Sequence, residues 1–144
     1  MGSRQLFAVV GGYFFFPFKI VSHDPTRAAI ICKKERERKL LIKIEKLQEY
    51  YKQDRVIISI HAQERLRQRG IRQKDIKNCI ATGEIIEQYP DDFPFPSCLI
   101  FGYTINNKIL HVVASDEGTI SRIITAYFPD NDKFENDFKT RKER

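Results

Sequence analysis

The 144-residue chain has no tryptophan, a single methionine at its first position and only three cysteines. Cys32, Cys79 and Cys98 are far apart, and no two cysteines form a C-x-x-C pair. This pattern argues against a disulfide framework and a four-ligand zinc site, and indicates reduced thiols in the cytoplasm. The patterns G-x-x-x-x-G-K-[S/T] and G-x-G-x-x-G are absent from the sequence. Nucleotide hydrolysis and dinucleotide binding therefore have no support.

The sequence also lacks a long uninterrupted apolar run. Residues 6–21 are mostly apolar, but Gly11, Gly12, Pro17 and Lys19 interrupt them, and a bilayer span needs about 20 apolar residues. No convincing small-x-small cleavage site follows, as a signal peptide would require. Three interpretations of this segment stay open: a poorly matched leader, an added β-element, or residues upstream of the natural start. We favour the last, and we expect no membrane association.

The charge of the chain is unevenly distributed. Residues 33–74 hold fourteen Lys and Arg against six Asp and Glu, a net charge of +8, whereas residues 75–144 hold eight against twelve, a net charge of −4. A basic first half predicts an anionic partner, most often nucleic acid, although a solvated charged helix gives the same pattern. We divide the chain into an atypical extension over residues 1–32, a basic amphipathic helix over 33–54 and an α+β domain over 55–144.

The spacing of apolar residues predicts the helices. Leu40, Leu41, Ile44 and Leu47 recur every three or four residues, which predicts one amphipathic helix docked through this stripe. Further along, Ser59 is an expected N-cap. The expected helices cover residues 33–52, 61–69 and 73–81, and residues from about Asp132 to the C-terminus.

Alternating apolar segments predict the strands. Three prolines make residues 90–97 a stiff loop. Asn106-Asn107 suits a two-residue type I′ turn, because asparagine tolerates positive φ, and such a turn places Ile105 opposite Lys108. The expected strands cover residues 84–89, 98–105, 108–115 and 119–128, with the β-branched run 56–60 as a further candidate.

The hairpin register assigns side chains to the two faces of the sheet. His111 is expected on the face opposite to the one that the helices cover. A three-residue loop before the last strand places Thr125 and Tyr127 beside His111, whereas a four-residue loop places Arg122 there, and the sequence leaves both open. The helix-covered face is expected to contain Leu99, Phe101, Tyr103, Leu110, Val112 and Ala114.

Several linked motifs between residues 59 and 142 carry a family resemblance. They are H-A-x-E-R-x-x-x-R-G-I from His61, G-E-I-I-E-x-Y-P from Gly83, P-S-C-L-I-F-G from Pro96, L-H-V-V from Leu110 and I-I-T-A-Y from Ile123. The pattern resembles the bacterial family catalogued as domain of unknown function 4258, which is similar in layout to RelE/ParE-type toxins and is grouped with RelE–barnase-like ribonucleases. This resemblance implies an α+β fold in which helices pack on one face of a small antiparallel sheet of three to four strands.

The resemblance also implies a function. It points to a toxin-like, metal-independent endoribonuclease that cleaves through the ribose 2′-OH, needs no cofactor and acts in the cytoplasm. RNA is then the expected partner, either free or on the ribosome, and an antitoxin protein is a further expected partner. The alternative is a non-catalytic RNA- or protein-binding module of the same fold.

Metal-free RNA cleavage requires a base, an acid and cations that stabilise a phosphorane, and histidine and arginine suit these roles. His61 and Arg65 share a helix face at i and i+4, and we expect them to project toward His111. Other interpretations are a capping or merely exposed His61, a hydrogen-bonded His111 within the sheet, and an Arg65 paired with Glu64 or with a C-terminal acid. The candidate catalytic residues are His61, Arg65, His111, Thr125 and Tyr127. The candidate nucleic-acid contacts are Arg65, Arg67, Arg69, Arg72, Lys74 and Arg122.

Overall fold

A computed structural model describes residues 25–143. The chain divides into two units, Met1–Arg38 and Lys39–Arg144. The apolar segment of residues 6–21, with its three interpretations, lies outside the described residues. Residues 25–38 of helix α1 (Pro25–Leu40) are the described part of the first unit. Within the described range, no helix combines the length and the apolar character that crossing a membrane requires.

The second unit combines helices with a mixed sheet, which makes it an α+β fold. In the described residues, the sheet has five strands in the order β1-β5-β4-β3-β2. It exceeds the predicted three to four strands because the β-branched run after residue 55 adds β1, which pairs in parallel with β5. The helices are α2 (Ile44–Lys52), α3 (Ile60–Gln68) and α4 (Gln73–Thr82). The strands are β1 (Val56–Ile58), β2 (Glu84–Tyr89), β3 (Ser97–Tyr103), β4 (Ile109–Asp116) and β5 (Ser121–Tyr127).

The single helix predicted over residues 33–52 is wrong, because α1 and α2 are separated at residues 41–43. Gln88 of β2 explains the break. Its side chain accepts a hydrogen bond from the Ile42 backbone N–H at 3.1 Å and donates one to the Ile42 carbonyl at 2.7 Å. The Ile42 backbone groups therefore have hydrogen-bond partners without being part of a helix. Leu41 of the predicted stripe is exposed, whereas Leu47 is buried.

Local signals set the limits of α3, as predicted. The Ser59 hydroxyl accepts a hydrogen bond from the Ala62 N–H at 3.2 Å, which caps the first turn. Gly70 follows the last turn with a φ of +68°, a conformation that favours glycine. Ala62 and Leu66 are the buried residues of α3, so they fix the side of the helix that packs on the sheet.

The turn between β3 and β4 differs from the prediction by one residue. Thr104 donates its N–H to the Lys108 carbonyl at 2.8 Å, and its hydroxyl accepts the Lys108 N–H at 3.0 Å. Asn107 takes the positive φ of 60°. The loop therefore has three residues and pairs Tyr103 with Ile109, because the Thr104 side chain favours this turn over the two-residue alternative.

This shift exchanges the two faces of β3. Cys98, Ile100, Leu110 and Val112 belong to the core that the helices cover, whereas Leu99, Phe101 and Tyr103 lie on the opposite face, contrary to the prediction. Gly102 lies under α4, where a Cβ atom would stand 2.5 Å from the Cys79 carbonyl oxygen. A glycine is needed for this close approach. The prediction for β4 is correct, since Leu110 and Val112 face the helices and His111 does not.

A β-bulge decides which part of β5 joins the His111 face. His111 pairs with Tyr127 and Val113 with Thr125, and the register then shifts before Ala114. The loop before β5 has four residues, 117–120, so the three-residue alternative is wrong for the loop, and Ile123 lies in the helix-covered core. The bulge reverses the alternation after Ile123, so Thr125 and Tyr127 share the His111 face all the same. Arg122 pairs with Ser115, four residues along β4 from His111, so the alternative that places Arg122 beside His111 is wrong.

The C-terminal helix expected from Asp132 does not form in the described residues. Residues 130–143, which we call the C-terminal segment, make turns and one isolated bridge between Phe134 and Arg141. Phe134 is 1% exposed and packs on the sheet face that the helices leave open. Phe138 takes a φ of +56°, which is incompatible with a continuous helix. The segment is therefore shaped by its packing on the sheet.

Candidate functional site

His111 is the buried centre of the open sheet face. The fully buried imidazole lies in edge-to-face contact with Phe134, with 4.7 Å between ring centroids, and with Tyr127, with 5.4 Å between ring centroids. Its Nε2 atom lies 2.7 Å from the Phe138 carbonyl oxygen, which can only accept a hydrogen bond, so Nε2 carries the proton. Burial lowers the pKa of His111 below its usual value. His111 is therefore held neutral and away from any substrate.

Ion pairs fasten the C-terminal segment over His111. Arg141 Nε donates to Glu87 Oε2 at 2.8 Å, and its guanidinium lies 5.2 Å from the centroid of the Phe134 ring. Lys139 pairs with Glu84 and lies 4.8 Å from the centroid of the Phe101 ring. The positive charge of Arg141 also acts to lower the pKa of His111. Two charged residues of the segment thus hold it against β2 and β3.

A row of exposed basic residues runs along α3. His61, Arg65 and Arg69 are exposed and follow one another at four-residue intervals, so they lie along one side of the helix. Arg65 forms no ion pair with any described residue, because Glu64 pairs with Arg67 instead at 2.6 Å. The interpretation of Arg65 as the partner of Glu64 is therefore wrong. Its guanidinium is free to bind an anion.

Arg69 connects this row to β5. Its Nη1 atom donates to the Thr125 hydroxyl at 3.0 Å and to the Ala126 carbonyl at 2.9 Å. The contact is possible because β1 pairs only with the first half of β5, up to Ile123. Burial raises the pKa of the Tyr127 hydroxyl and is the largest influence on it. The positive charge of Arg69 acts in the opposite direction and lowers that pKa. The Tyr127 phenol therefore stays protonated at neutral pH.

The structure does not bring the two candidate histidines together. His61 belongs to α3, whose buried residues Ala62 and Leu66 pack on the helix-covered face of the sheet. His111 points to the other face, since neighbouring side chains of a strand alternate. The expectation that His61 and Arg65 project toward His111 is wrong. The groups that the structure connects are instead Arg69, Thr125 and Tyr127.

Three of the other predicted nucleic-acid contacts are engaged in ion pairs. Arg67 pairs with Glu64, Arg72 lies 3.4 Å from Asp75, and Arg122 lies 2.5 Å from Glu117. Lys74, on α4, pairs with no acidic side chain of the described chain. Arg65 and Lys74 are therefore the predicted contacts whose charge is least compensated by neighbours.

A cysteine–histidine pair is not formed. Cys98 is fully buried on the helix-covered face, away from His111, and burial raises the pKa of its thiol to about 12. Burial likewise raises the pKa of Cys79 to about 12. Both thiols therefore stay protonated at neutral pH, and neither is a nucleophile. In the part of the chain that the structure describes, no group of three or more His, Cys, Asp or Glu side chains is placed to hold a metal ion.

The residues that sequence reasoning missed are those of the C-terminal segment and its partners. Phe134 packs on His111, and Arg141 of the same segment bonds to Glu87 of β2. No local pattern specifies these contacts. The sequence does contain one signal for this cover. The run D-F-K-x-R-K over residues 137–142 contains Lys139 and Arg141, the two residues that pair with β2.

Comparison with known proteins gives one family. Residues 58–128 match the family described as Domain of unknown function (DUF4258). The matched segment contains α3, α4 and β2 to β5, and with them the row on α3 and its contact with β5. The match supports the family resemblance of this segment, while α1, α2 and the whole C-terminal segment lie outside it. No curated protein and no solved structure matches the chain.

Proposed function

We propose that the protein is a metal-independent endoribonuclease similar to RelE/ParE-type toxins, with its reacting groups on α3 and the adjoining edge of β5. One observation carries this proposal: exposed His61 and unpaired Arg65 lie on the same side of α3 as Arg69, which bonds to Thr125. An imidazole beside guanidinium groups is the combination that a phosphodiester requires. RNA is the proposed partner, and the reduced cysteines accord with a cytoplasmic protein.

The roles of these residues follow from their chemistry. His61 accepts the proton of the ribose 2′-OH, whose oxygen then attacks the neighbouring phosphorus atom. Arg65 and Arg69 stabilise the charge of the phosphorane through hydrogen bonds to its oxygens. Water donates a proton to the leaving 5′-oxygen, because Tyr127 lies beside the enclosed His111 on the other face of the sheet. The products are a 2′,3′-cyclic phosphate and a free 5′-hydroxyl.

His111 has a different role in this proposal. It is enclosed by Phe134 and bonded to the Phe138 carbonyl, so it acts as a positioning residue for the C-terminal segment and for Tyr127. The two-histidine mechanism that the sequence favoured is therefore replaced by a mechanism with one exposed imidazole.

The second candidate is a module that binds RNA without cleaving it. The burial of His111 favours it, because one imidazole then remains at the site, whereas Arg65 and Lys74 keep their charge for phosphate oxygens. An antitoxin protein is expected to cover the same basic residues, Arg65 and Lys74. Ribosome association is compatible with both candidates, since both use an exposed cationic helix.

Cleavage of single-stranded RNA in the presence of EDTA tests the proposal. The purified protein is incubated with a 5′-labelled oligoribonucleotide, and the new 3′ ends are identified. A 2′,3′-cyclic phosphate is expected, since the 2′-OH is the nucleophile. Binding without cleavage supports the second candidate, and cleavage that requires a divalent cation contradicts the mechanism.

A further inference from the structure

A second concave site lies on the other flank of α3. It is a groove between α2, β1, α3 and α4, with a volume of about 390 Å³. Gln63 lines it from α3, and because Gln63 is two residues after His61, roughly 200° around a helix, the groove faces away from the His61 side. A neighbouring cavity of about 420 Å³ shares Tyr51, Asp54 and Lys77 with it. Together they reach the size of a small-molecule site.

The mouth of the groove is positively charged. Lys74 and Lys77 lie one turn apart on α4 and line it, and neither forms an ion pair with a described residue. Asp54 is the acidic residue of the lining, so the two lysines outnumber it. The Gln73 side chain also lines the groove and forms no hydrogen bond to the described residues. Free ammonium and amide groups thus surround the opening.

The floor of the groove is apolar. Val56, Ile58 and Tyr51 line it and pack against the hydrophobic core. The Tyr51 hydroxyl is buried and has no hydrogen-bond partner among the described residues, and burial raises the pKa of Tyr51. The hydroxyl thus remains a proton donor without an acceptor, a condition that buried polar groups in folded proteins seldom show.

We propose that this groove binds a nucleotide, independently of RNA cleavage at the α3 site. Lys74 and Lys77 bind the phosphate, and the base lies on the apolar floor with the Gln73 amide at its edge. Asp54 accepts hydrogen bonds from the ribose hydroxyls, which explains a carboxylate in a site otherwise suited to anions. The same chemistry fits a free nucleotide and a nucleotide within an RNA chain.

Titration calorimetry on the full-length protein tests this site. The probes are uridine and adenosine 5′-monophosphate, inorganic phosphate and a short oligoribonucleotide with a non-cleavable 2′-O-methyl backbone. Lys74→Gln/Lys77→Gln is expected to weaken binding of a mononucleotide by at least about tenfold, because two charge-assisted contacts are lost. Lys133→Gln/Lys142→Gln is the matched control, with two exposed lysines of the C-terminal segment, and is expected to bind as the wild type does.

The outcomes distinguish a free nucleotide from a nucleotide within an RNA chain. They also distinguish nucleotide binding in the groove from RNA cleavage at α3. Mononucleotide binding that depends on Lys74 and Lys77 supports a free nucleotide, and oligonucleotide binding alone with the same dependence supports an RNA chain. Equal affinity for inorganic phosphate, no binding of either probe, or binding unchanged in Lys74→Gln/Lys77→Gln overturns the proposal. His61→Ala is expected to leave mononucleotide binding intact, so a failure of the cleavage mechanism does not affect this result. Thermal unfolding confirms that each variant is folded.

Discussion

The Nε2 atom of His111 lies 2.7 Å from the carbonyl oxygen of Phe138. This hydrogen bond joins the middle of β4 to the C-terminal segment. It needs a proton on Nε2, while the buried Nδ1 atom has no partner among the described residues. A second proton, on Nδ1, would place an unpaired charge inside the protein. The attachment of the segment is therefore sensitive to pH.

Stability is expected to fall as the pH drops below about 6.5, the usual pKa of histidine. The pKa of folded His111 is lowered by burial, so the unfolded chain binds a proton that the folded chain resists. The contribution of neutral His111 is complete above the unfolded pKa and decreases as the pH falls from there toward the folded pKa. Urea unfolding between pH 7.5 and 5 measures it.

The His111→Phe variant is the control for this pH dependence. Phenylalanine fills a similar volume among Phe134 and Tyr127 but has no proton to bind. The variant is expected to show a flatter stability profile between pH 7.5 and 5 than the wild type. An unchanged slope would show that another group causes the pH dependence.

Phe134 is expected to be a major stabilising residue of the C-terminal segment. Its side chain is 1% exposed, and truncation of a buried phenylalanine to alanine typically costs about 3–5 kcal/mol. Phe134→Ala should therefore lower the free energy of unfolding by about this amount. Diethyl pyrocarbonate should also modify His111 faster in this variant, as mass spectrometry of the peptide would detect.

Phe93→Ala is the matched control, since Phe93 is 96% exposed. A change of less than about 0.5 kcal/mol is expected, as for most surface substitutions. Equal effects of the two substitutions would contradict the packing of the C-terminal segment on the sheet.

RNA affinity is expected to depend on Arg65 and not on Arg67. Arg65 is unpaired in the described chain, whereas the charge of Arg67 is compensated by Glu64 at 2.6 Å. If Arg65 contacts one phosphate, Arg65→Gln reduces the slope of log affinity against log salt concentration by about 0.7 for single-stranded RNA. Fluorescence anisotropy between roughly 50 and 200 mM salt measures the slope.

Arg67→Gln should leave that slope close to the wild-type value. Both arginines are exposed on α3, so the comparison removes general effects of net charge. Equal losses in the two variants would mean that the whole helix attracts RNA without a defined contact at Arg65.

The elements that sequence analysis predicted correctly are those with local signals. The Ser59 cap and Gly70 define α3, and β2 has the limits expected for residues 84–89. The break before α2 could not be predicted, because Gln88 causes it from a position 46 residues away. The register of β3 depends on the Thr104 side chain, which competes with the preference of two asparagines for a shorter turn.

The candidate site, too, was predictable only where local spacing determines it. The intervals between His61, Arg65 and Arg69 place them on one side of α3 from the sequence alone. The contact between Arg69 and Thr125 depends on how α3 packs on β5 and on a β-bulge after Val113. The cover over His111 depends on the C-terminal segment. The charged composition of this segment is typical of a surface helix, but the segment forms no helix because Phe134 is buried against the sheet.

The rate of RNA cleavage by His61→Ala tests the central claim most directly. The loss of a general base is expected to lower the rate by about 10² to 10⁴ while RNA affinity stays nearly unchanged. His23→Gln, a histidine outside the family match, serves as the control and should cleave as the wild type does. A cleavage rate in His61→Ala equal to that of the wild type would contradict the assignment of His61 as the catalytic base.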